Sequence, residues 1–250
     1  MNRRISSSVD RAEVERFTAI APQWWNENGA FRPLHRLNPT RLGFITEQLG
    51  QHFERDRKAR KPFAGLRLLD IGCGGGLIAE PLARLGFAVT GIDADTTALA
   101  VARAHAKEKG LAIDYREGTA ESLVAAKQRF DAVLALEIVE HAADAGQFMA
   151  EAGALVKPGG ALIASTLNRT PRAYLFAILG AEYILRWLPR GTHEFRKFQR
   201  PSELAAALRP AGLATKALAG LQYQPLQDRW RLGRDLGVNY LLFATKPRWK

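Results

Sequence analysis

Residues 68–78 of the chain read LLDIGCGGGLI, and this stretch decides how the rest of the sequence is interpreted. A short apolar run stops at glycine and a helical pattern begins, which predicts a strand, a tight turn and the start of a helix. Glycine adopts positive φ readily and carries no Cβ. Gly72, Gly74 and Gly76 therefore predict a close approach between the backbone and a ligand.

A second apolar run supports this prediction. Residues 88–92 lead directly into Asp93, about 20 residues beyond the turn, where nucleotide-binding α/β folds place the acid that binds ribose hydroxyls. Leu77 stands where the pyrophosphate-binding pattern G-x-G-x-x-G requires its third glycine, so the order here is D-x-G-x-G-x-G. That order resembles motif I of the class I S-adenosylmethionine-dependent methyltransferases, which implies S-adenosylmethionine as cosubstrate. A packing turn beside an unrelated Asp93 is the structural alternative.

The chain from Leu66 onward alternates between strand-like and helix-like periods. Strands are predicted near residues 66–71, 88–93, 112–117, 130–136, 160–167, 213–219 and 238–245, and helices near residues 76–86, 95–109, 144–156 and 201–211. Short crossovers that contain helices require parallel pairing, so we predict an α/β fold with a doubly wound, mostly parallel, seven-stranded Rossmann-like sheet. N-terminal helices and a helical insertion after the fifth strand complete it. At 250 residues we expect a single domain, 1–250.

In such a sheet the ligand lies at the carboxyl ends of the strands. The residues predicted to face it follow successive strands: Asp70, Gly72 and Gly74 the first, Asp93 the second, Thr119 and Ala120 the third, and Leu136 the fourth. We expect Thr119 and Ala120 to lie near the adenine of the cofactor, and Leu136 to pack beside the cofactor.

The N-terminal region, residues 1–62, is predicted to form a helical cover and a linker. Residues 9–25 have helical spacing, and we expect this helix to lie over the ligand cleft. Prolines break residues 31–42 into a loop before a helix at residues 40–53. Arg41 then stands in the first turn of that helix, where a cation is unfavourable, so we predict that it faces an anion such as the cofactor carboxylate. An exposed surface arginine is the alternative.

An acidic cluster, residues 137–141, follows the fourth predicted strand. If the segment is helical, Glu137, Glu140 and His141 lie at i, i+3 and i+4 on one face, where two carboxylates and an imidazole suit a divalent cation. The oxygen-rich set favours a hard ion such as Mg²⁺, which would lower the pKa of a phenol directly. His141 as a metal-free general base is a second interpretation. A plain helix N-terminus with a hydrogen-bonded His141 is the third.

The composition indicates which kinds of binding partner and which cellular compartment to expect. A formal net charge of +11 suits nucleic acid, an anionic membrane surface or a solvated exterior. We find no base-methylation motif and no RNA-binding appendage, so we expect no nucleic-acid partner. Cys73 is the single cysteine, which excludes a disulfide within the chain and fits a reducing, cytoplasmic compartment. No secretory signal and no charge-free apolar stretch of about 18 residues is found.

Residues 169–200 form an apolar and basic insertion after the fifth strand. Residues 173–188 are too few, and too interrupted by Glu182 and Arg186, to span a membrane. Their aromatic residues and flanking arginines fit an interfacial helix or a cover over a greasy substrate tail. An ordinary buried helix with a Glu182–Arg186 pair at the surface is the alternative.

Several motifs together resemble the bacterial O-methyltransferases of ubiquinone biosynthesis, over nearly the whole chain. They are residues 24–25, 35–42, 69–76, 137–141, 165–169, 180–185 and 191–193. The resemblance implies methylation of two intermediates, a 2-polyprenyl-6-hydroxyphenol and, later, a 3-demethylubiquinol. It also implies that Arg41, Gly72, Asp93 and Leu136 contact S-adenosylmethionine.

The same resemblance implies further roles. Glu137, Glu140 and His141 match the metal-binding positions of the related mitochondrial enzymes. Residues 169–200 match a segment that associates with an anionic membrane surface, which implies a cytoplasmic enzyme peripherally associated with the inner membrane. Recruitment into a larger biosynthetic assembly is left open by the sequence. The chief departure from the family is the basic stretch of residues 53–62, which leaves the motifs intact.

Overall fold

The computed structural model describes residue 18, residues 20–175 and residues 195–248 of the chain. Most of the helix predicted over residues 9–25, and residues 176–194 of the insertion, lie outside the described residues. Where that helix can be followed, the prediction of an α-helix up to Trp25 is wrong, because Ala21–Gln23 forms a 3₁₀-helix. Pro22 has no N–H to donate to an α-helix.

The strands, numbered in chain order, are β1 Arg67–Ile71, β2 Ala88–Asp93, β3 Asp114–Glu117, β4 Phe130–Leu136, β5 Val156–Leu167, β6 Ala214–Gln224, β7 Arg229–Gly233 and β8 Asn239–Thr245. In the described part of the chain they form one sheet in the order β3-β2-β1-β4-β5-β8-β6-β7. Strands β1 to β5 pair in parallel, and β8, β6 and β7 add antiparallel strands at one side. The predicted Rossmann-like, mostly parallel α/β sheet is confirmed.

The prediction of seven strands misses β7. Its five residues, RWRLG, contain three charged or glycine positions, so no apolar run marks them as a strand. Instead β7 pairs with β6, and the hydroxyl of Thr40 donates a hydrogen bond of 3.0 Å to the carbonyl of Trp230. Tertiary pairing therefore decides this strand, as it often does for edge strands.

The α-helices of six or more residues are α1 Arg32–His52, α2 Ala79–Arg84, α3 Thr96–Glu108, α4 Ala120–Ala125, α5 Ala145–Ala154 and α6 Pro201–Leu208. Shorter helical segments occur at Ala21–Gln23, Val139–His141, Pro171–Ala173, Phe195–Lys197, Arg209–Ala211 and Pro225–Gln227. Helix α4 was not among the predicted helices, although Thr119 and Ser122 form a capping box at its start. That local pattern is a recognised signal for a helix N-terminus.

Helix α1 corrects the prediction that prolines break residues 31–42 into a loop. Pro33 stands in the first turn, where its missing N–H costs no hydrogen bond. Pro39 lies inside the helix and does remove a bond, but the helix buries Phe44, Ile45 and Leu49 against the sheet, which offsets that loss. Arg41 consequently lies in the middle of α1 and not in a first turn.

Apolar side chains pack on both faces of the sheet. Neighbouring strand residues point to opposite faces: Leu68 packs with α1, α2 and α3 on one face, whereas Leu69 packs with α4, α5 and α6 on the other. Strands β1, β2, β4 and β5 are largely buried on both sides, as expected for this type of sheet, whereas the edge strand β3 buries only Tyr115.

The register brings the ends of five strands to one edge. Leu136 of β4 pairs with Ser165 of β5, and Leu167 of β5 pairs with Asn239, the first residue of β8. The carboxyl ends of β1, β2, β4 and β5 and the start of β8 therefore meet at this edge, where side chains from distant parts of the sequence converge. None of the described helices is both long enough and apolar enough to cross a lipid bilayer.

Candidate functional site

The glycine turn, residues 72–76, lies at the carboxyl end of β1 as predicted. Gly72, Gly74 and Gly76 have φ values of 72°, 51° and 87°. The N–H groups of Gly72 and Cys73 donate to the carbonyl of Ile92 at the end of β2, which anchors the turn. A Cβ on Gly72 would lie 2.8 Å from Ile138, and one on Gly74 would overlap the ring of Trp24. The turn therefore needs glycine for both backbone conformation and space.

Gly74→Ala is expected to lower the free energy of unfolding more than Gly110→Ala, which is a matched control. Gly110 has a similar φ of 65° but nothing within 4 Å of an added Cβ, so its replacement costs only the left-handed conformation, about 1–2 kcal/mol. Gly74→Ala adds a clash with Trp24, worth about 1–3 kcal/mol more. Urea denaturation measures both. Equal losses of unfolding free energy in the two variants would show that the Trp24 ring can move aside at no energetic cost.

Two consecutive tryptophans cover the glycine turn. Trp24 stacks on Phe31 with ring centroids 3.7 Å apart, and its ring lies against Gly74 and Gly75. Trp25 donates from Nε1 to the carbonyl of Gly75 over 3.0 Å and stacks on His105 at 3.5 Å. Residues 24–25 belong to a family motif, but their sequence does not predict that they cover the glycine turn.

Asp93 lies at the carboxyl end of β2, half-buried beside the turn. Its Oδ2 accepts a hydrogen bond of 2.8 Å from the N–H of Gly74, and its Oδ1 accepts one of 2.9 Å from the N–H of Asp95. Burial raises the pKa of this carboxyl, and these backbone N–H groups oppose the rise. Asp93 thus ties the glycine turn to the end of β2.

Asp70 lies within β1 and is almost completely buried. Burial raises its pKa from 3.8 to about 7, the nearby Asp93 carboxylate adds to the rise, and the Arg41 guanidinium opposes it. A bound cation near this carboxyl would be stabilised by its ionised form.

Asp70→Asn is expected to make the stability of the protein less dependent on pH. Because the folded pKa is about 7 and the unfolded one is 3.8, the folded state binds more protons in that window, and stability falls as pH rises through it. The stability difference between pH 5 and pH 7.5 should shrink by about 1–3 kcal/mol in the variant. Thermal unfolding across this range measures the effect. Asp114→Asn, at an exposed carboxylate, is the control, and equal pH profiles for wild type and Asp70→Asn would contradict the prediction.

Arg41 is 3% exposed and faces an anion, although the reason given by the sequence is wrong, since α1 begins at Arg32. Its Nη2 lies 2.8 Å from Oε1 of Glu137. Its Nη1 lies 3.4 Å from the side-chain oxygen of Asn38 one turn earlier. Its Nε is buried with no hydrogen-bond partner among the described residues. A buried guanidinium cannot lose its charge, so it requires such partners.

Glu137 is the first residue after β4 and adopts a φ of 50°. Its N–H donates to the carbonyl of Ser165. Its Oε1 accepts a bond of 2.9 Å from the hydroxyl of Ser165 and one of 3.2 Å from Nδ2 of Asn239. The carboxylate is therefore fixed between Arg41 and the ends of β5 and β8.

Glu140 and His141 lie on the 3₁₀-helix Val139–His141. Glu140 is 3% exposed, and its Oε2 accepts a bond of 2.8 Å from the hydroxyl of Thr166. Its Oε1 is buried with no hydrogen-bond partner in the part of the chain that is described. Burial raises the pKa of Glu140, Glu137 adds to the rise, and His141 opposes it. His141 is half-buried beside this carboxyl.

The predicted helical face of Glu137, Glu140 and His141 is wrong. The left-handed residue 137 and the 3₁₀-helix replace α-helical spacing, so the carboxylate of Glu137 pairs with Arg41 while that of Glu140 bonds to Thr166. Across the described ranges no three His, Cys, Asp or Glu side chains are placed to hold a metal ion. The residues present do not fit the divalent cation, such as Mg²⁺, that the sequence suggested.

The remaining predicted residues lie at the expected edge, and their contacts with the cosubstrate stay predictions. The hydroxyl of Thr119 accepts a bond from the N–H of Ser122 and caps α4. The side chain of Ala120 is 1% exposed and packs in the core. Leu136 is half-buried and packs against the core beside the site.

Sequence reasoning missed Ser165, Thr166 and Asn239. The first two lie near the carboxyl end of β5 and could have been found by treating that strand like the other four. Asn239 begins an antiparallel strand, and no local pattern indicates that it reaches the site.

The chain is similar to known methyltransferases. A family model described as a methyltransferase domain matches residues 69–164. A ubiquinone biosynthesis O-methyltransferase from Chelativorans sp. (strain BNC1) is 54% identical, over 96% of this chain and 95% of that protein. A protein of the same name from Brucella anthropi is 53% identical, over 99% of this chain and 100% of that protein.

Solved structures support the fold. Magnesium protoporphyrin IX methyltransferase from Synechocystis PCC 6803, with bound SAH, has a TM-score of 0.66 and 16% identity, over 95% of this chain and 100% of that chain. A SAM-dependent methyltransferase from Thermotoga maritima has a TM-score of 0.60 and 19% identity, over 94% of this chain and 99% of that chain. At these identities the likeness concerns the fold alone.

Proposed function

Because this chain belongs to the ubiquinone biosynthesis O-methyltransferases, we propose that it moves the methyl group of S-adenosylmethionine onto polyprenylated ubiquinone precursors. The acceptors are a phenolic and a catechol hydroxyl, at both O-methylation steps, and residues 1–250 act as a single domain. The observation that carries the proposal is the 2.8 Å hydrogen bond from the N–H of Gly74 to Asp93. It joins the glycine turn and the predicted ribose-binding acid into one unit at the carboxyl ends of the strands.

The residues at this edge fit the cosubstrate. Arg41 has a buried Nε with no hydrogen-bond partner among the described residues, which a ligand carboxylate would complete. The residues that would hold S-adenosylmethionine are Arg41, Asp70, Gly72, Gly74, Asp93, Thr119, Ala120 and Leu136. When bound, this cosubstrate supplies an already activated methyl group, so the protein has to align the acceptor and remove its proton. Alignment alone contributes about 7–11 kcal/mol in such reactions.

His141 is the proposed general base. A phenol has a pKa well above neutral pH. Each unit by which that pKa exceeds the pH of the solution adds about 1.4 kcal/mol to the cost of removing the proton. His141 lies after β4 beside the buried carboxyl of Glu140, at the edge where the cosubstrate residues converge. It accepts the phenolic proton as the acceptor oxygen attacks, and Glu140 stabilises the resulting imidazolium. No step in this mechanism passes through a metal ion.

The proposal also includes where the enzyme acts in the cell. The polyprenyl tail approaches beneath residues 169–200, which contact an anionic membrane surface and hold a cytoplasmic enzyme peripherally on the inner membrane. The composition of the segment supports this, as do its described residues Tyr174 and Leu175, which are 43% and 53% exposed. Flotation with vesicles of anionic and of neutral lipid tests the surface, and equal binding to both would contradict it.

A methyl-transfer assay tests the function. Purified protein is incubated with S-adenosylmethionine and a prenylated catechol, and mass spectrometry measures the methyl ether. We expect turnover on the catechol and on a prenylated phenol. Cosubstrate binding without turnover on any phenol would instead indicate a sensing module. Cells that lack the protein should accumulate hydroxylated, unmethylated quinone precursors.

A further inference from the structure

We infer that Glu137 is a positioning residue that holds Arg41 in place for the cosubstrate, and that Ser165 and Asn239 fix Glu137 for this task. The inference rests on the proposed function, in which Arg41 binds the cosubstrate carboxylate. It gives Glu137 a different role from the catalytic and metal-binding roles suggested by the sequence, and it adds two residues to the site.

The ion pair between Arg41 and Glu137 joins two distant elements. Arg41 comes from the middle of α1 and Glu137 from the end of β4, and their Nη2 and Oε1 atoms are 2.8 Å apart. The side chains are 3% and 20% exposed, so water contributes little to either charge. Without Glu137 the guanidinium would be a buried charge left with the 3.4 Å contact to Asn38 and the electrostatic interaction with Asp70, a carboxyl whose pKa burial raises to about 7. Such a charge is costly and tends to move towards solvent.

Glu137 is in turn fixed from two other strands. Ser165 of β5 donates to Oε1 over 2.9 Å, and Asn239 of β8 donates to the same oxygen over 3.2 Å. The carbonyl of Ser165 accepts from the N–H of Glu137, which holds the backbone as well. A φ of 50° is costly for a residue with a Cβ, so these contacts are needed to maintain it.

These contacts distinguish positioning from catalysis. Oε1 of Glu137 already faces a guanidinium, a hydroxyl and an amide, so protein donors occupy this oxygen. The same contacts compete with metal binding. What remains available is on Arg41, whose Nε and Nη2 have no hydrogen-bond partner in the described structure, although Nη2 forms the ion pair with Glu137. A guanidinium held in this way loses little freedom when it binds a carboxylate, which improves affinity.

The test compares two buried asparagines at the same edge. Asn239→Ala removes a donor to Glu137, whereas Asn168→Ala removes a bond to the carbonyl of Leu236 and leaves Glu137 untouched. We expect Asn239→Ala to weaken binding of S-adenosylhomocysteine by about 3–10-fold in calorimetry, equivalent to one hydrogen bond, and to raise the KM for S-adenosylmethionine with little change in kcat. Asn168→Ala should change neither value.

Glu137→Gln gives a larger effect and a check on mechanism. It keeps the shape of the side chain but removes the charge, and we expect binding to weaken by about 10-fold or more. In an Arg41→Lys background the effects of both Glu137→Gln and Asn239→Ala should largely disappear, because they act through Arg41. Thermal unfolding of each variant shows whether it is folded. Should Glu137→Gln fail to fold, Asn239→Ala and its control still decide the question.

Three outcomes would overturn the inference. One is a fall in kcat with unchanged KM in Glu137→Gln, which would make Glu137 catalytic. Another is binding of Mg²⁺ alone by the wild type that is lost in Glu137→Gln, which would make it a metal ligand. The third is additive effects in the Arg41→Lys background. A wild type that does not bind S-adenosylhomocysteine would overturn the proposed function itself, and this inference with it.

Discussion

Replacing His141 with glutamine is expected to lower kcat for methyl transfer by about 10²–10⁴-fold, the usual contribution of a general base. Imidazole can accept a proton near neutral pH, whereas a glutamine amide cannot. His141 lies on the 3₁₀-helix after β4, while the residues proposed to hold the cosubstrate come mainly from α1, β1 and β2. Calorimetry should therefore show an unchanged affinity for S-adenosylhomocysteine.

The pH dependence of the rate provides a second measurement of the His141 prediction. In the wild type, kcat should fall on the acid side of the profile as the imidazole becomes protonated, and this limb should be missing from the His141→Gln profile. His52→Gln is the control, because His52 lies at the far end of α1 and bonds to the carbonyl of Gly159. An equal loss of kcat in both variants, or full activity in His141→Gln, would remove His141 as the base.

Replacing Asp93 with alanine is expected to weaken binding of S-adenosylhomocysteine by roughly 10²-fold. The carboxylate accepts one bond from the turn, at Gly74, and one from Asp95, and we propose that it also binds the ribose. A hydrogen bond to a charged group contributes about 1.5–3 kcal/mol, so losing one such bond to the ribose accounts for up to roughly 10²-fold in affinity. Isothermal titration calorimetry measures it directly.

Asp114→Ala is the matched control for Asp93. Asp114 begins the neighbouring strand β3, but its side chain is 47% exposed and pairs with Arg116 at the surface. It should leave the affinity unchanged, since exposed ion pairs contribute little. Asp93→Asn refines the result, because it keeps an acceptor oxygen and loses only the charge. If Asp93→Ala binds the ligand like the wild type, the proposed cosubstrate site is wrong.

The parallel part of the fold was predictable because it depends on local patterns. Strands β1, β2 and β4 are buried apolar runs bounded by glycine or polar residues, and their predicted bounds match within a residue. Helix α1 was predicted only in part, because two prolines argued for a loop and the burial of Phe44, Ile45 and Leu49 outweighed them. Strand β7 carries no local signal and depends on pairing with β6.

Some features of the site were likewise predictable from local sequence, whereas others depend on the tertiary structure. Asp93 and the glycine turn were found together because a fixed distance along the chain separates them, and the structure joins them through the N–H of Gly74. Glu137, Glu140 and His141 were found as residues, but their assumed helical spacing was wrong because Glu137 has a φ of 50°. The three residues are adjacent in sequence, yet their contacts come from other strands.

The sequence by itself determined the class of fold, the glycine turn, its acidic partner and the membership of a methyltransferase family, because each depends on residues close together or at a fixed spacing. Only the tertiary structure decided what Glu137 contacts. Arg41, Ser165 and Asn239 reach it from α1, β5 and β8, and sheet register, which is set by long-range pairing, brings them together. A half-buried carboxylate takes its role from the groups that surround it, and those groups are separated from Glu137 along the chain.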